Sequence, residues 1–118
     1  MSTLVACLST GKGTWGHVSR LIEDETWDKV ILITNDYGKE NFKKKDNVEL
    51  ISVNLTQGIR DLITEIETSL KYKITDTEVA VNFISGTGKE HMALISALLK
   101  SGLGIRLIAL TSEGIKEI

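Results

Sequence analysis

Two rhythms of apolar residues alternate along this chain. Five runs are almost continuously apolar and rich in β-branched residues, at positions 4–8, 29–34, 48–53, 79–84 and 105–110. Such runs predict strands buried on both faces. Between them, apolar residues recur every three or four positions, as amphipathic helices require. Residues 14–25 predict a helix with Val18, Leu21 and Ile22 on one face. Residues 57–71 predict another, carrying Ile59, Leu62, Ile63, Ile66 and Leu70. Residues 89–100 predict a third, ended by Gly102 and Gly104. Residues 35–45 read as a polar connection with room for a short helix, Tyr37 and Phe42 turned inward. The tail at 111–118 has no assignable period.

The resulting order, βαβαβαβαβ, predicts an α/β protein. The expected fold is a single domain over residues 1–118. It is a Rossmann-like, doubly wound parallel sheet of about five strands in the order 3-2-1-4-5, with helices on both faces. In that order strands 1 and 4 are neighbours and the winding reverses between them. Ligands of such sheets bind there, beyond the carboxyl ends of the strands.

Both of those strands empty into glycine-bearing loops with similar letters. Ser9-Thr10-Gly11-Lys12-Gly13 follows strand 1, and Ser85-Gly86-Thr87-Gly88-Lys89 follows strand 4. Glycine lets a backbone approach a phosphate, and a helix N-terminus points free N–H groups at it. Two such loops side by side predict a pocket for a ligand with several phosphates. Lys12 and Lys89 are the expected phosphate contacts, and Ser9, Thr10, Ser85 and Thr87 the matching hydroxyls. Helix capping is the competing role for Ser85 and Thr87.

Composition narrows the choice of guest. Of 118 residues, 42% are hydrophobic and 25% charged, and the net charge of −2 gives no basic surface for long nucleic acid. One cysteine, Cys7, lies inside an apolar run, so it reads as a buried reduced thiol and predicts a reducing, cytoplasmic setting. Met1-Ser2-Thr3 lacks a signal-peptide start, and no apolar run approaches a membrane span. No cofactor or metal site is expected. His17 and His91 each follow a glycine loop, but no carboxylate stands at a telling spacing to complete a metal or catalytic set. Trp15 could stack on a base, but packing onto the sheet is its expected role, and Trp27 reads as structural.

Helix 89–100 is unusually apolar, since only Ser96 is polar between Met92 and Leu99. Met92, Ile95 and Leu99 form one stripe and Leu94 and Leu98 another. That apolar surplus predicts either deep burial within the monomer or a subunit interface.

Two phosphate motifs can be compared with these loops. The Walker A pattern fails, because it would require a glycine at Phe83 or at Ala6. Gly11-Lys12-Gly13-Thr14-Trp15-Gly16 does match G-x-G-x-x-G, and Asp36 follows about twenty residues later. That makes an NAD- or mononucleotide-binding domain a rival reading. Ser9 and Thr10 loosen the turn before the first glycine, however, and 118 residues leave no second domain for a hydride acceptor.

The segment Asn82-Phe83-Ile84-Ser85-Gly86-Thr87-Gly88-Lys89-Glu90-His91-Met92-Ala93 resembles the strand-4 motif of the CARF family, the CRISPR-associated Rossmann-fold domains. Leu8-Ser9-Thr10-Gly11 is similar to that family's other ligand loop. Gly88, between Thr87 and Lys89, departs from the pattern. The resemblance implies a two-fold homodimer that binds a cyclic tetra- or hexa-adenylate, the messenger of type III CRISPR antiviral defence, with helix 89–100 in the interface. It also implies ligand contacts from Ser9, Thr10, Gly11, Gly13, Asn35, Ser85, Gly86, Thr87, Gly88, Lys89 and His91. No arginine has the closely following histidine of a HEPN ribonuclease. A stand-alone domain is then expected to cleave the ring itself, without metal, with Lys12, Lys89, Ser9 and Thr10 as the catalytic candidates. The alternative is a non-catalytic sensor or sequestering subunit.

Overall fold

A computed structural model describes residues 2–9 and 11–118, the side chain of Lys12 excepted. Ten elements follow one another: β1 (Thr3–Cys7), α1 (Trp15–Glu23), β2 (Lys29–Thr34), α2 (Asp36–Asn41), β3 (Val48–Ser52), α3 (Ile59–Leu70), β4 (Glu78–Asn82), α4 (Gly88–Lys100), β5 (Gly104–Thr111) and β6 (Gly114–Glu117). A single 3-10 turn, Lys12–Thr14, leads into α1. The sheet order is β3-β2-β1-β4-β5-β6. The first five strands are parallel and stand in the predicted Rossmann-like order. The sixth comes from the unassigned tail, turned back at Gly114 (φ +100°) to pair antiparallel with β5.

Strict alternation along each strand sends side chains to two separate cores. Leu4, Ala6 and Leu8 join Val30, Leu32 and Leu50 under α1 and Phe42. Val5 and Cys7 join Ile31, Ile33, Ile51 and Val81 under α3 and α4. All five residues of β1 are buried, as a strand with covered faces and a partner on each side must be. Strand β4 stops at Asn82, two residues earlier than its apolar run suggests. The cause is local: the buried Asn82 side chain accepts from Ile84 N at 3.0 Å and donates to Ile108 O at 2.9 Å. An Asn side chain that replaces a backbone partner in this way turns the chain, and Ile84 is left exposed.

One expectation is corrected in α2. Phe42 is buried as predicted, but Tyr37 is 45% exposed. Gly38 is the reason. The short helix approaches β2 so closely that a Cβ on Gly38 would lie 2.0 Å from Thr34 Oγ1. With Gly38 facing the sheet, its neighbour Tyr37 is rotated outward, its ring centroid 6.1 Å from that of Trp15. Thr34 cannot yield easily, because it is fully buried and donates to Leu8 O at 3.0 Å. Gly38→Ala should therefore lower the unfolding free energy by about 2–3 kcal/mol, the overpacking range, as read by urea denaturation.

Candidate functional site

The exits of β1 and β4 are joined. Ser9 N donates to Ser85 Oγ at 2.7 Å, and Thr14 Oγ1 donates to the same oxygen at 2.7 Å. Ser9 Oγ donates to Gly11 O and lies 3.4 Å from Thr14 Oγ1. Ser85 is thus a buried hub rather than a helix cap. Trp15 is buried and its indole N–H donates to Ser9 O at 2.8 Å, so it packs on the sheet and pins the first loop. Trp27 is likewise structural, donating to Leu21 O.

The two loops are not equivalent. At the second, Thr87 caps α4, and Glu90 completes a reciprocal capping box by accepting from Thr87 N at 3.1 Å. Glu90 is nine-tenths buried, and its carboxylate partly neutralises the positive end of that helix. Gly86 adopts φ +104°, and a Cβ there would meet Cys7, Glu90 and His91 at 3.0 Å each. His91 Nε2 lies 2.7 Å from Ser85 O, and its ring packs 4.8 Å from that of Phe83. At the first loop the Thr14 side chain does not cap α1, and no acidic residue lies in its first turn. The positive end of α1 is therefore the less neutralised of the pair.

The remaining expected ligand residues separate. Lys89 turns its ammonium to the carbonyls of Leu55 and Gln57, beyond β3, where it donates to protein rather than to a guest. Asn35 caps α2, accepting from Gly38 N at 3.0 Å. Gly11, Gly13 and Gly88 have open space where a Cβ would stand. The expected roles of Thr10 and of the Lys12 ammonium lie outside the described residues. His17 lines a largely apolar groove with Phe83, Ile84, Leu107 and Ile118. Thr14 and Glu90 are the two site residues that sequence reasoning missed. The spacing Thr87-x-x-Glu90 is a capping-box signature that would have found the second.

The geometry also bears on the dinucleotide fingerprint. Its third glycine serves close helix–strand packing. Gly16 is instead exposed, with nothing within 4 Å of an added Cβ. Asp36 does sit at the carboxyl end of β2, where its Oδ1 accepts from Ser52 Oγ at 2.5 Å.

A scan against protein-family models finds no match, and no curated protein matches the chain. Among the described residues, no helix is long and apolar enough to cross a membrane.

Three outcomes test this description. Ser85→Ala strips Ser9 N and Thr14 Oγ1 of their common acceptor, and should cost about 1–3 kcal/mol by denaturant titration. Gly16→Ala should raise stability by up to about 1 kcal/mol, since glycine in a helix is the costlier residue. Cys7 supplies a pH test. Burial, with the Glu90 carboxylate adding to it, pushes its thiol up to about 12. The unfolded thiol ionises from about pH 8.5, while the native one stays protonated. Stability should then fall as pH rises from there toward 12, by at most about 1.4 kcal/mol per pH unit. Cys7→Ala should remove that part of the slope.

Proposed function

We propose that this domain binds a cyclic oligoadenylate at the crevice between β1 and β4, as a two-fold homodimer. The observation that carries the reading is the 2.7 Å hydrogen bond from Ser9 N to Ser85 Oγ, because it makes the two loops one surface at the switch point of the sheet. The N-terminus of α1, whose first turn carries no acidic residue, adjoins that surface, and the positive end of its dipole favours a phosphate there. A ring of an even number of identical nucleotides can share a two-fold axis with a dimer, each protomer reading half. The outer stripe of α4 supports the dimer. Leu94 and Leu98 are buried in the domain, whereas Met92 and Leu99 are 63% and 59% exposed. Leu107, on the neighbouring β5, is exposed as well.

Ring cleavage is the second reading, favoured by the convergence of the Ser9, Thr14 and Ser85 hydroxyls at one point. In that reaction a ribose 2′-oxygen bonds to its neighbouring phosphorus and the bond from phosphorus to the 5′-oxygen breaks. The proton passes from the 2′-oxygen to the departing 5′-oxygen, leaving a 2′,3′-cyclic phosphate. Alignment supplies much of such a rate, and loop N–H groups would stabilise charge on the phosphate oxygens. With Lys89 held on Leu55 and Gln57, that stabilisation falls to the first loop and the α1 terminus.

Calorimetry with cyclic tetra- and hexa-adenylate tests the binding. One ring should bind per two chains, and Ser85→Ala should weaken it at least fivefold. No heat with either ring, or a better fit to NAD, would overturn the proposal. Incubation with the bound ring in EDTA then decides the chemistry: a linear product with a 2′,3′-cyclic phosphate end means cleavage, and an intact ring means a sensor. Leu99→Lys should shift the sedimentation of the complex from dimer to monomer.

A further inference from the structure

The early stop of β4 leaves a gap inside the sheet. Strand β5 runs on to Thr111, whereas its last residue paired with β4 is Leu107, opposite Val81. Main-chain groups of a strand between two others point to each neighbour in turn. Gly104 N donates to Thr77 O on the β4 side, and Leu107 O accepts from Ile118 N on the β6 side. Even-numbered residues of β5 therefore face β4. Ile108 O is met there by the Asn82 side chain at 2.9 Å. The next such residue is Leu110. In a continued ladder its partners would be Phe83 O and Ser85 N, but the chain has turned away at Asn82. The Leu110 N–H and C=O have no partner among the described residues.

Leu110 lines a groove of about 290 Å³, together with His17, Phe83, Ile84 and Ile118 among others. That volume is near the lower limit of small-molecule sites, and the unpaired edge is one residue long, too short to seat a strand. Both facts favour a flat heterocycle over a peptide. No lysine, arginine or carboxylate side chain lines the groove among the described residues. Ile84, 46% exposed, directly precedes the Ser85 hub, so the groove adjoins the crevice.

We infer that this groove is a nucleobase subsite, in which the Leu110 main chain reads an amino base. Leu110 offers a donor and an acceptor side by side on one edge. Adenine presents the complement, an acceptor ring nitrogen next to a donor amino group. A keto purine such as hypoxanthine has a carbonyl oxygen where adenine has the amino group, and that oxygen would confront the Leu110 carbonyl. Phe83, Ile84 and Ile118 supply apolar surface for the faces of the base. Cytosine carries the same donor and acceptor pattern, and the choice of adenine rests on the binding reading above. The base would then lie beyond the end of β4 while its phosphate faces Ser9 and Ser85.

The probes are adenosine and inosine, titrated by calorimetry and by amide NMR of isotope-labelled protein, beside cyclic tetra- and hexa-adenylate. Adenosine should bind at least tenfold more tightly than inosine, and should move the Leu110 amide resonance downfield as its N–H gains an acceptor. A ring that binds should move the same resonance. Ile84→Ala, at an exposed position, should weaken adenosine at least threefold. Equal affinity for the two nucleosides, or adenosine bound with the Leu110 amide unmoved, overturns the inference. So does the absence of adenosine binding at millimolar concentration, and a ring that still binds then leaves the crevice reading standing alone. Adenosine bound with its preference over inosine but no ring bound has the reverse meaning.

Discussion

Everything at the carboxyl edge depends on how β1 is held. It lies between β2 and β4, hydrogen-bonded to both, and its side chains enter cores on both faces of the sheet. Each buried Leu or Val contributes about 1.5–3 kcal/mol relative to exposure, so sliding this strand would disrupt two cores at once. Parallel registry with β4 therefore fixes where Ser9 emerges relative to Ser85. The hydrogen bond between them is a consequence of that registry, and so is the Thr14 bond that draws the start of α1 toward the same hub.

From that shared frame the loops diverge. The second closes on itself: Thr87 and Glu90 satisfy each other's backbone, Gly86 takes the one backbone shape the turn allows, and Lys89 ties the corner to the stretch before α3. The first is held from outside, by Ser85 and by the Trp15 indole, and leaves the end of α1 without a carboxylate. The edge thus holds a self-satisfied wall at the second loop beside a helix end that carries no carboxylate at the first.

Much of this was legible in the chain. The five apolar runs revealed the sheet because parallel strands covered on both faces have no polar alternation to hide them. The winding reversal and the nearness of the two loops followed from element order. Other features were hidden for identifiable reasons. Strand β6 has only four residues, two of them charged, and exists because β5 offers it an edge. Tyr37 faces outward because of a close approach at Gly38 that no periodicity records. Similar letters in the two loops suggested similar chemistry, yet Glu90 distinguishes them from a position just outside the compared pentapeptides. Ser85 and Thr14 are 71 positions apart, so only the fold could bring their hydroxyls together.

The borders of the sheet bear on how the molecule meets others. One border strand, β3, has five residues, and its Glu49 is engaged by Lys73 at 2.5 Å and Lys29 at 3.7 Å. The other, β6, is shorter still and carries Lys116 and Glu117. Short, charged margins are poor templates for a foreign strand. The protein is thereby guarded against runaway edge-to-edge stacking in crowded solution.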